Sequence, residues 1–421
     1  MKLESPELLQ FPASDASSSR SFARFGNLTL SSAFQPVFSF AHRRSIGYEA
    51  LLRANDPTGN AIAPSAVFGR THPKATWTNL ERGVQWLHVS NFKRIAGACD
   101  WLFLNSSPDG FVVSEAYRRL VEESLRQFRL APERIVLEVL ETPNGDPQRL
   151  TEGIASFREL GFLIALDDFG AGHSNIDRVW QIQPDIVKLD RRVIEQAALN
   201  PRVARLLPRL VSLLHETGVL VLVEGVETRE EALLALESEA DFTQGFYFAR
   251  PAAIGVDTTA ARSIMDSLRQ LSSTRNEEEM RNHAAFLSTY VPVLHAVAER
   301  LAAGADVAGA CAIVLRRHDV TRCILLDALG EQIGGDVSLR PTRSMPSECI
   351  PAWADVSKAC GKQGSWACFR EAIGQPGTVQ VSQPYLSATG SNLCTTLSLA
   401  FSVQGEARVL CADIDRNRIE S

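Results

Sequence analysis

The feature that most constrains the fold is a regular alternation of short apolar runs with amphipathic segments between residues 34 and 250. Most of the runs are continuous stretches of Val, Ile and Leu, which is typical of strands buried on both faces. The eight runs are FQPVFSF (34–40), IGYEALL (46–52), WLFLN (101–105), IVLEVL (135–140), FLIALDD (162–168), DIVKLD (185–190), VLVLVEG (219–225) and FTQGFYF (242–248). The segments between them have helical periodicity, so the pattern predicts βαβ units and a parallel sheet. This is the strand count and the size of an α/β fold of the (β/α)8 TIM-barrel type, with a doubly wound open sheet as the alternative.

The connections between the runs, and the chain that flanks them, define the domain organisation. The first two runs are joined by the turn AHRRS, which is too short for a crossover helix, so this strand pair is predicted to be antiparallel. Residues 257–303 have helical periodicity, with a break expected at STRNEEE and a kink or a helix start at Pro292. Short β runs and Gly-containing turns after residue 307 predict a small α+β domain with an antiparallel sheet. The predicted segments are a mobile tail at 1–20, the barrel at 21–255, a helical linker at 256–304 and the second domain at 305–421.

Charge, hydropathy and cysteine usage exclude several classes of protein. The chain carries 43 basic and 49 acidic residues, a formal net charge of −6, which argues against a nucleic-acid polymer as partner. No run approaches the ~18 apolar residues that cross a bilayer, and the N-terminal residues lack an apolar signal core, so we expect a cytoplasmic protein with no membrane partner. Seven of the eight cysteines follow residue 310 without CxxC spacing, which predicts buried thiols rather than a zinc site. A redox-sensing role for them is the alternative.

Polar residues interrupt the apolar runs within or near their C-terminal ends. In a barrel these ends converge on one face, and that face carries the active site. The interrupting residues are Glu49, Asn105, Glu138, Asp167, Asp168, Lys188, Glu224 and Gln244. Clustered carboxylates repel one another unless a cation neutralises them, and an all-oxygen donor set favours Mg²⁺ or Mn²⁺ over zinc. The adjacent Asp167 and Asp168 suit a bridge between two metal ions, which together activate a water and stabilise the leaving oxygen of a phosphoryl centre.

The motifs and their order resemble the EAL family of cyclic di-GMP phosphodiesterases over about residues 30–252. The matching motifs are QPV (35–37), EALLR (49–53), Asn105, LEVLE (137–141), DDFGAG (167–172), KLD (188–190), EGVET (224–228) and QGFYFARP (244–251). The resemblance implies a barrel with an antiparallel first strand pair that hydrolyses cyclic di-GMP to linear pGpG. It also implies two Mg²⁺ or Mn²⁺ ions per site, and Ca²⁺ is expected to inhibit because it prefers more ligands at longer distances. The alternatives are a catalytically weak or inactive cyclic di-GMP receptor and a protein-binding scaffold.

The resemblance also implies roles for individual residues. Its metal ligands are Glu49, Asn105, Glu138 and Asp167 for the first ion, and Asp167 and Asp168 for the second. Glu49, Lys188 and Glu224 carry the catalysis: Lys188 holds and polarises the attacking water, and Glu224 is the general base or a partner of the second metal. The dinucleotide is contacted by Gln35, Leu51, Arg53 and Gln244, and the ligands are supported from behind by Glu141 and Glu227. The chain departs from the family pattern at Leu140, where Thr is common, and at His173, where Tyr is usual.

The C-terminal domain resembles the cache/PAS-like sensor modules that follow some EAL domains, over about residues 307–415. The resemblance rests on RCILLDALGEQIG, FREAI, SQPYLSATGSNLCTTLS and VLCADID, and it implies a domain that binds an unknown small ligand or mediates dimerisation. The two apolar stripes within 257–303 are wider than one domain surface requires, and an exposed stripe of that length favours association. The sequence therefore predicts a homodimer whose C-terminal module regulates the barrel.

Overall fold

The structure is a computed structural model, and its description covers the greater part of both domains. The described residues are 21–69, 74–107, 111, 115–139, 147–171, 176–253, 258–335, 337–338, 365–386 and 393–418. The chain forms two compact units, residues 1–275 and 276–421, and each is considered by itself. The division lies inside the segment expected to be a linker, so the domain boundaries drawn from the sequence stay a prediction.

The first unit consists of a ten-stranded sheet surrounded by helices. Its strands are β1 (Ala23–Phe25), β2 (Leu28–Ser39), β3 (Arg44–Asn55), β4 (Ala61–Ile62), β5 (Trp101–Ser106), β6 (Ile135–Val139), β7 (Leu163–Phe169), β8 (Ile186–Leu189), β9 (Leu220–Val223) and β10 (Phe242–Thr243). Its helices are α1 (Pro64–Phe68), α2 (Lys74–Phe92), α3 (Glu115–Phe128), α4 (Pro147–Glu159), α5 (Ile176–Ile182), α6 (Arg191–Leu199), α7 (Pro201–Glu216) and α8 (Arg229–Glu237). Beyond these, α9 (Thr259–Ala302) begins in the first unit and ends in the second.

Eight of the strands close into a barrel. Each neighbouring pair from β3 and β5 round to β9 and β10 is parallel, whereas β2 is antiparallel to both β3 and β10 and closes the ring. Each barrel strand contributes one apolar residue to the same inner cluster, which consists of Val37, Ile46, Phe103, Val136, Ala165, Ile186, Leu222 and Phe242. The predicted (β/α)8 barrel with an antiparallel first strand pair is therefore confirmed, and the open doubly wound sheet is wrong.

The second unit contains an antiparallel sheet with helices on both faces. Its elements are α10 (Val307–Leu315), β11 (Val320–Leu326), α11 (Ser365–Gly374), β12 (Gln380–Val381), β13 (Tyr385–Leu386), β14 (Leu393–Val403) and β15 (Glu406–Asp415). The strand order is β11-β15-β14-β12, and β13 also pairs with β14. Side chains alternate along β14 and β15, so that Leu399 and Leu410 pack on α10 and the end of α9, whereas Ala400 and Val409 pack on α11. The α+β architecture is as predicted, and the cache/PAS-like assignment stays a prediction.

Helix α9 is continuous where the sequence predicted a break. It runs through STRNEEE and through Pro292, and the polar stretch from Ser273 to Glu279 is exposed on the helix surface. A run of polar helix formers favours a solvated helix as much as a break, and periodicity alone does not separate the two cases. None of the described helices, including this one, is long and apolar enough to cross a membrane.

The two apolar stripes of α9 are covered within their own units. Met265 and Leu268 are buried in the core between the barrel and its helices, whereas Tyr290, Leu294 and Val297 are buried in the core of the second unit. The stripes are therefore not the exposed surface from which the homodimer was inferred.

Candidate active site

The candidate residues lie where the barrel strands end. Glu49 is the last residue of β3 to pair with β5, and it lies opposite Gln35 on β2. Asn105 lies opposite Glu138 across the β5–β6 pair. Glu224 and Gln244 directly follow the short strands β9 and β10. Because the parallel strands end at the same rim, the barrel brings these side chains to one pole.

A bulge in β7 directs two consecutive carboxylates to the same place. The pairing of β7 with β8 shifts register between Leu166 and Phe169, and Asp168 has a φ of 55°, in the left-handed region. Successive side chains of a regular strand point to opposite faces, so a bulge is needed for Asp167 and Asp168 to share one site. Carboxylate oxygens of Asp167, Asp168 and Glu224 lie within 4.8 Å of one another, the spacing of a group that can ligate a metal ion.

A buried ammonium group holds the carboxylates together. Lys188 Nζ lies 2.6 Å from Glu138 Oε1, 2.9 Å from Asp167 Oδ1 and 2.7 Å from Glu224 Oε1. The Lys188 side chain is 1% exposed and that of Glu138 is fully buried. The sequence predicts that Lys188 holds and polarises the attacking water. It does not predict this three-way ion pairing, because the pairing depends on distances between strands that are far apart in sequence.

The charges of the cluster shift one another's titration. Burial raises the pKa of Glu138 well above its ordinary value, and the Lys188 ammonium opposes this effect. Burial likewise raises the pKa of Glu224 to about 8. For Lys188, burial alone would lower the pKa, but the carboxylates of Asp167, Glu138 and Glu224 outweigh it and raise the pKa well above its ordinary value. Burial therefore favours the neutral forms of Glu138 and Glu224, and a cation bound beside them would favour their ionised forms.

Glu49 links this cluster to the neighbouring strands. Gln244 Nε2 donates a hydrogen bond of 2.6 Å to Glu49 Oε2, and Asn105 Nδ2 lies 3.4 Å from Glu49 Oε1. Both amide side chains use their donor groups on Glu49, which leaves their carbonyl oxygens available as acceptors. The buried Oε1 of Gln244 has no hydrogen-bond partner among the described residues.

The donor set fits hard divalent cations. Five carboxylates (Glu49, Glu138, Asp167, Asp168 and Glu224) converge with the amide of Asn105, and none of the site residues is His or Cys. The buried Oε2 of Glu138 has no hydrogen-bond partner in the described part of the chain, and such an orphan oxygen is costly unless a cation or a donor satisfies it. When all five carboxyls are ionised, as ligands of cations are, one ammonium group leaves four negative charges, which is the charge that two divalent cations neutralise. Oxygen donors of this kind suit Mg²⁺ or Mn²⁺.

The residues proposed to contact substrate extend beyond the barrel rim. Along β3 the side chains of Glu49, Leu51 and Arg53 share one face, whereas Ala50 and Leu52 are buried on the other. Arg53 is exposed, and its Nη1 donates a hydrogen bond to the carbonyl oxygen of Leu52. This face presents the Glu49 carboxylate at the rim and the Arg53 guanidinium four residues further along the strand, which matches a substrate with an anionic phosphate.

Two predicted supporting residues have different outcomes. Glu141 lies outside the described residues, as do Leu140 and His173. Glu227 accepts a hydrogen bond of 2.9 Å from Arg191 Nη1, and its backbone N–H donates to Glu231, whose side chain also completes the capping box of α8. Glu227 therefore ties the loop after β9 to the start of α6, and its role as a support of the metal ligands stays a prediction.

A glycine allows the loops after β9 and β10 to touch. A Cβ on Gly245 would lie 2.0 Å from the carbonyl oxygen of Val226, and the backbone N–H of Val226 donates to the carbonyl oxygen of Gln244. Only a residue without a side chain allows this approach. The contact explains why the run at 242–248 forms a strand only at Phe242–Thr243: the chain then turns to pack against Val226.

We expect the substitution Gly245→Ala to destabilise the barrel by about 1–3 kcal/mol, because the added methyl group displaces backbone rather than a flexible side chain. Urea unfolding of the full chain measures this change. Gly374→Ala is the control, since a Cβ there meets no atom within 4 Å. Equal unfolding midpoints for the two variants would contradict the expectation.

An apolar cavity of about 390 Å³ lies on the flank of the barrel, away from this site. It is lined by α2, α3 and the outer side of β5 and β6, with Trp86, Leu104, Phe128 and Leu137 among its walls. None of the candidate residues lines it. The chemistry that the sequence predicts is therefore at the pole of the barrel and not in this cavity.

Comparison with known proteins agrees with the geometry. The model of the EAL domain family matches residues 20–251. The cyclic di-GMP phosphodiesterase RocR of Pseudomonas aeruginosa is 32% identical over 226 residues, which are 52% of this chain and 56% of RocR. The signaling protein YkoW of Bacillus subtilis is 26% identical over 227 residues, 52% of this chain and 28% of YkoW. The matched region thus spans about half or less of the length of these relatives.

One solved structure resembles nearly the whole chain. The Bacillus subtilis YkuI protein, described as having an EAL domain and as a complex with substrate c-di-GMP and calcium, has a TM-score of 0.76 and 18% sequence identity. The match covers 92% of this chain and 96% of YkuI, and at this identity it shows the fold. With the family model matching more than half of its residues, the chain belongs to the EAL domain family.

Proposed function

We propose that the chain hydrolyses cyclic di-GMP to linear pGpG with two Mg²⁺ or Mn²⁺ ions. The observation that supports this most strongly is the cluster of five carboxylates around Lys188, because it supplies a full oxygen donor set at the pole where barrel enzymes act. RocR, a relative of this chain, is named a cyclic di-GMP phosphodiesterase. The name of a relative supports the choice of substrate, and the residues of this chain support the chemistry.

The proposed ligands follow from the positions of the side chains. Glu49, Asn105, Glu138 and Asp167 would hold one ion, and Asp167 and Asp168 the other, with Glu224 beside them as the general base or a partner of the second ion. When bound, the ions would supply positive charge that activates water and stabilises the leaving oxygen.

The protein's own residues orient the carboxylates, accept a proton from the attacking water and position the substrate. Lys188 keeps Glu138, Asp167 and Glu224 within hydrogen-bond distance of one ammonium group, which fixes their orientation. Glu224 is the candidate to accept the proton of the attacking water at a carboxylate oxygen. The water oxygen then forms a bond to phosphorus while the phosphorus–O3′ bond breaks. O3′ takes up a proton from solvent and Glu224 returns its proton to solvent, which yields a 5′ phosphate and a free 3′ hydroxyl. Gln35, Leu51, Arg53 and Gln244 would position the dinucleotide, with the Arg53 guanidinium on a phosphate.

Incubation of the purified chain with cyclic di-GMP and Mn²⁺ or Mg²⁺ tests the proposal. We expect pGpG to accumulate with the wild type and to fall below detection with Asp167→Asn, while the surface variant Glu278→Gln retains wild-type turnover. Binding of the nucleotide without pGpG would defeat the enzyme and favour a receptor. A chain that binds no nucleotide would favour a scaffold.

We expect EDTA to abolish turnover and excess Ca²⁺ to inhibit it. Ca²⁺ takes more ligands at longer distances than Mg²⁺, so it would occupy the carboxylates without placing the water correctly. Initial rates measured at fixed Mn²⁺ with increasing Ca²⁺ check this, and additional Mn²⁺ should restore the rate. Full activity in EDTA would refute the two-metal chemistry.

The proposed homodimer has a candidate surface on α6 and α7. Leu199, Leu206 and Leu213 are exposed by 79%, 59% and 49%, and Leu206 and Leu213 lie two turns apart on one face of α7. In an antiparallel pair of α7 helices, Leu206 of one copy would face Leu213 of the other, and Arg202 would face Glu216. In this arrangement the leucines would make an apolar contact between the two copies, and the Arg–Glu pairs would add attraction between opposite charges.

We expect the full chain to have the mass of a dimer in solution, and the double variant Leu206→Glu, Leu213→Glu to have the mass of a monomer. Light scattering coupled to size exclusion measures both. Leu329→Glu, a substitution of a leucine that is 77% exposed in the second unit, is the matched control and should stay dimeric. A monomeric wild type would end the proposal. The proposed function also includes regulation by the C-terminal unit, an unknown ligand bound to that unit and a cytoplasmic location.

A further inference from the structure

We propose that Glu81 and Gln85 of helix α2 are positioning residues that hold Asn105 in the orientation required of a metal ligand. The inference rests on the proposed function and extends it to side chains that no sequence motif singled out. Both residues contact the segment Asn105–Ser107, where β5 ends and the chain leaves the sheet. Neither residue reaches the metal-binding pole itself, so both would act through Asn105.

The contacts form a clamp between one helix face and one strand end. Gln85 Nε2 donates a hydrogen bond of 3.0 Å to the backbone oxygen of Asn105. The Glu81 carboxylate accepts hydrogen bonds of 2.6 Å from the backbone N–H of Ser107 and of 2.7 Å from its hydroxyl. Glu81 and Gln85 are four residues apart and therefore lie on the same face of the helix, one turn apart. Glu81 and Ser107 are both buried, so these bonds are shielded from water.

The strand end needs such a clamp because its sheet pairing is one-sided. On the β3 side the ladder stops at the pair of Glu49 with Phe103. On the β6 side it continues to Asn105 and Ser106, which pair with Glu138 and Val139. The segment that carries Asn105 is thus held on one side by its pairing with β6. Where its pairing with β3 has ended, hydrogen bonds from α2 hold it instead.

The consequence for the site follows from the Asn105 side chain. Its Nδ2 lies 3.4 Å from Glu49 Oε1, the long end of hydrogen-bond distance, so this contact alone orients the amide weakly. A small rotation of the strand end would move the side-chain oxygen of Asn105, Oδ1, away from the proposed metal site that Glu49 and Glu138 share. Residues that orient metal ligands from behind typically change metal affinity or activity by about 10–100-fold when they are replaced.

The helix itself is anchored elsewhere, which provides a matched control. Asn91, also on α2 and buried, donates from Nδ2 to Ser32 Oγ and to the backbone oxygen of Ser21, both far from the Asn105 segment in sequence. Asn91→Leu removes buried hydrogen bonds from the same helix without removing the clamp. A purely structural role of Gln85 would make Gln85→Met behave like Asn91→Leu.

Mn²⁺ binding to the full chain, measured by calorimetry without nucleotide, tests the inference independently of turnover. We expect Gln85→Met and Ser107→Ala to raise the Mn²⁺ dissociation constant at least about tenfold. We expect Asn91→Leu to lower the unfolding midpoint with an unchanged dissociation constant. Glu81→Gln keeps the shape of the side chain and one acceptor oxygen. Its Mn²⁺ dissociation constant should lie between those of Ser107→Ala and the wild type.

A double-mutant cycle decides whether the effect passes through Asn105. In an Asn105→Ala background, Gln85→Met should have no further effect on Mn²⁺ affinity, since the ligand that it orients is gone. Additive losses would overturn the inference while leaving the phosphodiesterase intact, and so would an unchanged Mn²⁺ affinity in folded Gln85→Met. A wild type that binds Mn²⁺ but does not hydrolyse cyclic di-GMP would refute the proposed function, and the affinity measurements would still decide the role of the clamp. A wild type that binds no Mn²⁺ would overturn both.

Discussion

Lys188→Met is expected to reduce hydrolysis of cyclic di-GMP by about 100- to 10,000-fold, the range that a general base such as Glu224, which Lys188 orients, contributes. The substitution removes the ammonium group that contacts Glu138, Asp167 and Glu224 and leaves their carboxylates buried together. Without divalent metal, the lost partner should also lower the free energy of unfolding by about 3–5 kcal/mol, as when a buried ion pair loses one member. Rates with saturating Mn²⁺, and urea unfolding with EDTA, measure the two effects separately.

Lys93→Met is the matched control for this prediction, because Lys93 is exposed and directly follows the last residue of α2. It should retain both the rate and the stability of the wild type. Divalent metal should recover part of the stability lost in Lys188→Met, since cations then neutralise the carboxylates that the ammonium group no longer faces. A Lys188→Met enzyme with wild-type turnover would show that the ammonium group has no part in the reaction.

The pole of the barrel could be predicted from sequence because its chemistry follows from topology. Strands that are apolar on both faces have few polar interruptions, and parallel strands end at one rim, so Glu138, Lys188 and Glu224 were expected to meet before any distance was known. The bulge that brings Asp168 beside Asp167 could not be predicted, because a left-handed residue in a strand leaves no periodic signal.

The supporting residues on α2 show a second limit. Glu81 and Gln85 lie in a helix with buried leucines on either side, and polar residues in a helical pattern are normally assigned to solvent. Their contacts with the Asn105 segment depend on where β5 loses its pairing to β3, which is a property of the closed barrel. The continuity of α9 could not be predicted either. The exposed polar stretch between its two buried stripes has a composition that fits a loop or a solvated helix equally well.

The first part of α9 belongs to the barrel, and its removal is expected to disrupt the fold. Met265 and Leu268 are buried in the core that surrounds the strands, and Arg269 Nη2 donates a hydrogen bond of 2.7 Å to the backbone oxygen of Phe40. Burial of each large apolar side chain contributes about 1.5–3 kcal/mol, so these two account for about 3–6 kcal/mol. Domains are stable by about 5–15 kcal/mol in total. A chain that ends at residue 255 should therefore be partly unfolded or aggregated, whereas one that ends at residue 275 should unfold cooperatively.

Circular dichroism melts of the two truncated chains check this expectation, and equal melting temperatures would contradict it. In the full chain, Met265→Ala should cost about 2–5 kcal/mol, whereas Met280→Ala, at a methionine that is 65% exposed on the same helix, should change stability by less than about 0.5 kcal/mol. The distinction matters for regulation, because a truncation before α9 would lower activity by unfolding the barrel. Only the chain that ends at residue 275 separates this loss from control by the C-terminal unit. If that chain turns over at the rate of the full chain, the C-terminal unit does not set the basal activity; a changed rate in a folded barrel shows that it does.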